Sequence, residues 1–127
     1  MQPRYLPGLI LFFLLFTFCK KEEQDVFTHE YSATIKVSVY HQIQKPSGDF
    51  ENISVKDALV ELYKSSEDRE SHSDLVISAS TDSSGEVQFY SLKEKYYYLR
   101  ISHPTYGERL DETSTPDGSV SFVEVVY

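Results

Sequence analysis

One cysteine in 127 residues cannot make an internal disulfide, so the core of this chain has to hold without covalent staples. Basic residues are scarce as well, 12 against 20 acidic ones. That balance gives no electrostatic footprint for nucleic acid and repels anionic lipid. The five glycines fall into no phosphate-cradling pattern. His29, His41, His72 and His103 stand at no spacing that would put two ligands on one helix face or one turn, which removes the usual preformed zinc site. Serines are common, yet none sits in Gly-x-Ser-x-Gly, and the chain order suggests no Ser-His-acid set. Helical periodicity is missing after residue 30, which argues against a helical bundle. The expectation from these absences is a protein with no catalytic residues, no metal and no cofactor.

The one long apolar stretch lies at the start. Leu9 to Phe18 is ten residues, nine of them apolar, with Arg4 before it. A run of that length matches the apolar region of a secretion signal. It is too short for the ~20 residues a helix needs to cross a bilayer. Cys19 follows at once, and then Lys20, Lys21, Glu22 and Glu23. This order of apolar run, cysteine and charge resembles the bacterial lipobox, in which the cysteine is acylated and becomes the first residue of the mature protein. The lipobox prefers Leu three residues before the cysteine and a small residue just before it; here those positions hold Phe16 and Phe18. The resemblance implies a lipoprotein signal peptide over residues 1–18, lipidation at Cys19, and membrane attachment through that lipid. Cys19 to Gln24 also resembles the Cys-x-Lys-acid-acid export signal of Bacteroidetes lipoproteins displayed on the cell surface, which implies an outer-membrane lipoprotein of the bacterial envelope. Residues 19–30 read as a lipidated flexible tether. Arg4 is the only charged side chain in residues 1–19, so the remainder carries 11 basic and 20 acidic residues, a balance of −9.

From Tyr31 the pattern changes to a period of two. Tyr31, Ala33, Ile35, Val37 and Val39 face one way and Ser32, Thr34, Lys36 and Ser38 the other, the mark of a half-buried strand. A polar loop follows over residues 42–57, and its tail, Ile53 to Val55, suits a short edge strand. Ala58 to Tyr63 makes a strand with Ala58, Val60 and Leu62 inward. Ser65 to Asp74 reads as a charged, solvated loop. Leu75 to Thr81 is expected to turn Leu75, Ile77 and Ala79 to the core. Asp82 to Gly85 is a turn, with Asp in its first position and Gly free to take the left-handed region. Asp82 to Glu86 lacks the alternating oxygens and distal Glu of a calcium loop. Glu86 to Tyr90 directs Val87 and Phe89 inward. Lys95 to Ser102 directs Tyr97, Leu99 and Ile101 inward, leaving Tyr96, Tyr98 and Arg100 on the opposite face. Ser119 to Val126 closes the chain with an ambiguous inner face, because Val123, Val125 and Val126 break the alternation. Regularly spaced short strands of this kind predict an all-β antiparallel sandwich of about seven strands, one domain over residues 31–127.

Three segments occur in order: Val55 to Tyr63 with its Ala-x-Val-x-Leu alternation, Thr81 to Phe89 with its Thr-Asp-x-x-Gly turn, and Leu92 through Tyr97-Tyr98-Leu99. The set resembles the prealbumin-like sandwiches, namely the carboxypeptidase regulatory-like and collagen-adhesin B-type domains. The resemblance implies a stalk, adhesive or accessory module. The Tyr-Arg-Gly-Ser ending of the hydroxyisourate hydrolase branch is missing; this chain ends in Glu124-Val125-Val126-Tyr127. Adhesin B-type domains can join a Lys to an Asn. Lys36 lies on the first strand, but Asn52, the sole Asn, lies in a loop, so no such bond is expected.

Aromatic content is the most suggestive feature, with ten tyrosines. Tyr40, Tyr90, Tyr96 and Tyr98, with Arg100 alongside, are expected to form one exposed stripe, since tyrosine is broad, stiff and polar at its tip. The same residues could instead be cross-strand pairs that stabilise the sheet. The functional expectation is a non-enzymatic, membrane-anchored adhesive, scaffold or accessory module that binds an envelope protein. The alternative is a glycan or peptide binder that uses the tyrosine face.

Overall fold

The computed structural model describes residues 29–127. The signal segment over residues 1–18, Cys19 and nearly all of the tether over residues 19–30 lie outside the described residues. Tyr31–Tyr127 forms one compact unit, an all-β sandwich with eight strands and one short helix. In chain order these are β1 (Ala33–Gln44), β2 (Phe50–Ser54), β3 (Leu59–Tyr63), α1 (Ser66–Ser71), β4 (Ile77–Ser80), β5 (Glu86–Leu92), β6 (Tyr96–His103), β7 (Gly107–Ser114) and β8 (Val120–Val126).

Sheet A is organised on β1. One edge of β1 pairs with β5 over Ala33 to Ser38 and then with β2 over Tyr40 to Gln44, both antiparallel. Its other edge pairs with β8 from Thr34 to Tyr40, in parallel. This last pairing departs from the fully antiparallel expectation. Sheet B is antiparallel throughout, in the order β4-β3-β6-β7. Alternation along the strands sends one side of each sheet into a shared core. Ala33, Ile35, Val37, Val39, Phe89, Leu92, Val123 and Val125 come from sheet A, and Val60, Leu62, Tyr97, Leu99 and Ile101 from sheet B. Tyr97 is buried without an orphaned hydroxyl, because its Oη accepts from the Lys93 and Glu94 backbone N–H groups at 3.2 and 3.1 Å.

Several sequence expectations are corrected. Leu75 and Ile77 are exposed rather than inward, and only Ala79 of that trio packs against the core. The reason is that β4 is a four-residue edge strand and runs off the covered part of the sandwich. The loop over residues 65–74 contains α1, whose stability comes from its ends rather than from an apolar stripe. Ser65 caps it by accepting from the Asp68 N–H at 3.1 Å, Glu67 and Asp68 occupy the first turn, and His72 closes it in the left-handed conformation. β7 was not expected, because its sequence Gly-Glu-Arg-Leu-Asp-Glu-Thr-Ser alternates nothing apolar. The edge strand at 53–55 is longer and earlier, Phe50–Ser54.

The turn after β4 is held by Asp82. Its Oδ1 accepts from the N–H groups of Ser84 and Glu86 at 2.9 and 3.1 Å. Gly85 takes φ +74°, and a Cβ there would meet the Val39 carbonyl oxygen at 2.6 Å. Val39 donates to the Gly85 carbonyl and accepts from the Val55 N–H, so Gly85 sits where β5 hands its place beside β1 to β2. Buried Thr81 completes the junction. Its hydroxyl donates to the Val55 carbonyl at 2.6 Å and accepts from the Ala58 N–H at 3.0 Å.

Candidate functional site

The residues expected to form one aromatic stripe divide between the two sheets. Tyr40 belongs to β1 and Tyr90 to β5, both on the outer side of sheet A. Tyr96, Tyr98 and Arg100 belong to β6, on the outer side of sheet B. Alternation had placed each on an outer face, but the two outer faces point away from each other across the core.

On sheet B the outer face is covered by α1, which packs against β3 and β6. Tyr63 and Tyr98 are register partners there, as are Glu61 and Arg100. Arg69 of α1 lies over the Tyr98 ring, 5.5 Å from its centroid, and donates from Nη1 to the Asp111 carbonyl at 2.9 Å. Arg100 was expected to be exposed, but it is only 8 % exposed. It donates to the Arg69 carbonyl from Nη2 at 2.8 Å and pairs through Nη1 with Glu108. The long aliphatic stem of an arginine packs well under a helix while its head reaches both the helix backbone and β7. Tyr63, 1 % exposed, donates to Glu61 at 3.0 Å. Burial, then the Glu61 carboxylate, push its pKa up. These groups bind one another, so this face is a structural network. Tyr96 stays open on it, with its ring tilted against Tyr98 at 5.3 Å, and so do Leu59 and Leu110 beyond the reach of α1.

The outer face of sheet A has no such cover among the described residues. Across the order β5-β1-β8 the register places Gln88, Lys36 and Phe122 in one row, and Ser38 beside Glu86 and Glu124 in the next. Phe122 is 74 % exposed and Tyr90 64 %. Tyr90 donates to Gln88 at 2.8 Å, and Lys36 pairs with Glu86 at 3.2 Å. Val120 and Val126 flank Phe122 along β8 and are also exposed. Sequence reading missed Phe122 and its neighbours because the alternation of β8 was ambiguous. The pairing of Val123 with Val37 and of Val125 with Val39 resolves it. Lys36 thus points out to solvent near Glu86, while Asn52 pairs with Gln42 six positions further along β1.

A second aromatic group closes one end of the sandwich. His41 stacks on Tyr106 at 4.5 Å, His103 lies against the same ring at 5.0 Å, and Tyr127 at 5.5 Å. Arg109 sits over Tyr127 at 4.9 Å. His103 is fixed by the Thr105 N–H, which donates to its Nδ1, and by the Lys56 carbonyl, which faces its Nε2 at 3.1 Å. The two histidines are distant in sequence and still share one tyrosine. Among the described residues no group of three or more His, Cys, Asp or Glu side chains gathers to hold a metal, and no helix is long and apolar enough to cross a membrane. A hollow of about 290 Å³ lies along the seam of β4 and β5, lined in part by Ile77, Tyr90 and Leu92.

No family model and no curated protein matches this chain. The fold does recur among solved structures. The sandwich is similar to the Bacillus anthracis TIE protein, with TM-score 0.54 and 13% identity over 76% of this chain and 16% of that one. It is similar to GBS52, the minor pilin of the Gram-positive pathogen Streptococcus agalactiae, with TM-score 0.55 and 12% identity over 76% and 44% of the two chains. It is also similar to PA1324 of Pseudomonas aeruginosa, a candidate carbohydrate-binding protein, with TM-score 0.51 and 13% identity over 84% and 96%. The chain spans less than half the length of the first two. At these identities the likeness shows the fold alone, a β-sandwich.

Proposed function

We propose that the chain is a non-enzymatic lipoprotein, held at the bacterial outer membrane through lipid on Cys19, whose sandwich serves as an adhesive, scaffold or accessory module. The observation that carries this reading is the contrast in how polar and aromatic groups are used. Arg100 and Tyr98 of sheet B are engaged with α1, and the outer face of sheet A, uncovered among the described residues, is a surface for contact rather than a pocket for chemistry. The fold shared with a minor pilin supports an accessory role at a cell surface. The apolar run ending at Cys19 supports the anchor.

Intact mass and membrane fractionation of the protein made in a lipoprotein-processing host test the anchor. A mass equal to residues 19–127 plus acyl chains is expected, with loss of both the acyl mass and the membrane fraction in Cys19→Ser. Retention of residues 1–18 overturns it. Pull-downs from envelope extracts test the module. Specific capture by the wild type that is lost in Tyr90→Ser/Phe122→Ser is expected, and capture of nothing by the wild type counts against it.

A second reading, glycan binding, is favoured by one arrangement. Tyr90 and Phe122 stand on the strands either side of β1; Gln88, Lys36 and Phe122 share one row and Tyr90 lies two residues along β5 from it, which sets the two rings two strand spacings and two residues apart, ~12 Å. Aromatic faces flanking hydrogen-bonding groups suit a sugar chain, which presents both CH faces and hydroxyls. Identical glycan-array profiles for wild type, Tyr90→Ala and Phe122→Ala would remove this reading.

A further inference from the structure

The edges of the two sheets are protected to very different degrees. β7 carries Glu108, Arg109, Asp111 and Glu112 in eight residues. β4 is four residues long. The pairing of β5 with β1 is broken by a bulge, and Ser91 in it takes φ +56°. Charge, brevity and irregularity are the devices that stop a sheet edge from recruiting another strand. β8 uses almost none of them. Its sequence Val-Ser-Phe-Val-Glu-Val-Val has no Pro, Gly or Lys, and all seven residues pair with β1 without a register break.

The main-chain groups of β8 follow from that pairing. Thr34 donates to the Ser119 carbonyl, Tyr127 donates to the Tyr40 carbonyl, and Gln42 donates to the Tyr127 carbonyl. Odd-numbered residues of β8 therefore face β1, and the N–H and C=O groups of Val120, Phe122, Glu124 and Val126 face away from it. Among the described residues no strand pairs with that side. Ser121 reaches the Ser114 carbonyl with its hydroxyl at 2.7 Å, which ties β7 to β8 without using the free groups.

We infer that the free edge of β8 pairs with the same edge of a second copy of this chain, antiparallel and centred on Val123. The strand is self-complementary in this register. Val120 falls opposite Val126 of the other copy, and Phe122 opposite its Glu124, so the one charge of the strand never meets itself. The four facing pairs are the hydrogen-bonded kind and would supply about eight main-chain hydrogen bonds. Two four-stranded sheets become one continuous sheet across a two-fold axis, with the same patch used on both sides. With every chain strongly acidic, the pairing is strengthened by salt.

The register can be tested by crosslinking and charge exchange in the full chain carrying Cys19→Ser, in detergent. Val120→Cys/Val126→Cys is expected to oxidise to a covalent dimer. Its two cysteines lie six residues apart on an extended strand, too far to bridge within one chain, yet opposite each other across the axis. Each single cysteine variant is expected to stay uncrosslinked. In sedimentation experiments Phe122→Glu, which sets Glu against Glu124 twice, is expected to raise the dimer dissociation constant about tenfold or more. Adding Glu124→Lys is expected to restore pairing. Equal crosslinking by the single variants, no rescue by Glu124→Lys, or a wild type that is monomeric at every concentration reached overturns the inference. None of these readouts depends on whether the protein is anchored or adhesive.

Discussion

Sheets A and B contribute alike to one core but treat their outer faces in opposite ways. Sheet B spends Tyr98 and Arg100 on a helix: Arg100 bridges Arg69 and Glu108, and Tyr98 lies under the Arg69 guanidinium. Sheet A leaves Tyr90, Phe122, Val120 and Val126 open. Residues of the same outward parity and similar chemistry thus have two roles, and what separates them is whether a neighbouring element covers them. Buried polar clusters lose stability when one member is removed, whereas exposed aromatic residues do not. The contrast can therefore be broken by mutation.

The largest effect is expected where sheet A changes partners. Gly85→Ala asks an L-residue to take φ +74° with its Cβ 2.6 Å from the Val39 oxygen and 3.1 Å from the Val55 nitrogen. Both neighbours are backbone and cannot swing away. A loss of about 3 kcal/mol is expected in urea unfolding, from left-handed strain together with the clash. A loss under about 1 kcal/mol would mean that the β5–β2 junction yields.

Next comes the network on sheet B. Arg100→Ala removes a packed stem, the hydrogen bond to the Arg69 carbonyl and the pair with Glu108, whose side chain is about half exposed. Because Glu108 is not stranded in a dry site, the ion pair itself contributes little. The expected loss is about 2 kcal/mol, mainly packing and the helix contact. Arg100→Met should recover part of it. Equal stability of Arg100→Ala and wild type would show that α1 does not depend on this contact.

These two sites also show what the sequence does and does not reveal. Gly85 was legible because a turn of the Asp-x-x-Gly type needs its glycine locally, and Asp82 bonds within the same few residues. β1 and β6 were legible because Ile35, Val37, Val39, Leu99 and Ile101 repeat every second position. Arg100 was not, since period two fixes only the side of a sheet. Its burial depends on Arg69 and Glu108, supplied by other elements. The split of Tyr40 and Tyr90 from Tyr96 and Tyr98 was hidden for the same reason: alternation does not say which sheet a strand joins. β7 escaped notice because a charged edge strand has no apolar period to detect, and α1 because capping at Ser65 and His72 replaces an amphipathic face.

A smaller effect is expected with pH on sheet B. Tyr63 has its pKa raised by burial and by the Glu61 carboxylate it donates to. The unfolded chain then ionises this tyrosine near pH 10 while the folded chain still holds the proton. The stability this contributes is full below pH 10 and is lost as pH climbs through the folded value. Tyr63→Phe should flatten the alkaline fall of stability. Tyr31, Tyr96 and Tyr127, also raised, keep part of the slope. An alkaline fall as steep in Tyr63→Phe as in the wild type would show that burial of Tyr63 beside Glu61 does not set it.

The smallest effect on stability is the most informative about function. Phe122 is 74 % exposed and lies beside Lys36 on a face without a covering element among the described residues. Removing a ring that is already mostly in water forfeits little transfer energy, so Phe122→Ser should change unfolding stability by less than about 0.5 kcal/mol. Keeping Phe in that position gains the monomer almost nothing, and serine would make the surface more soluble. A residue that does so little for its own domain is explained by what it touches outside it. If Phe122→Ser instead lost 2 kcal/mol or more, in the range of about 1.5–3 kcal/mol typical of a buried side chain, Phe122 would belong to the core after all. Sheet A would then differ from sheet B only in having its cover elsewhere.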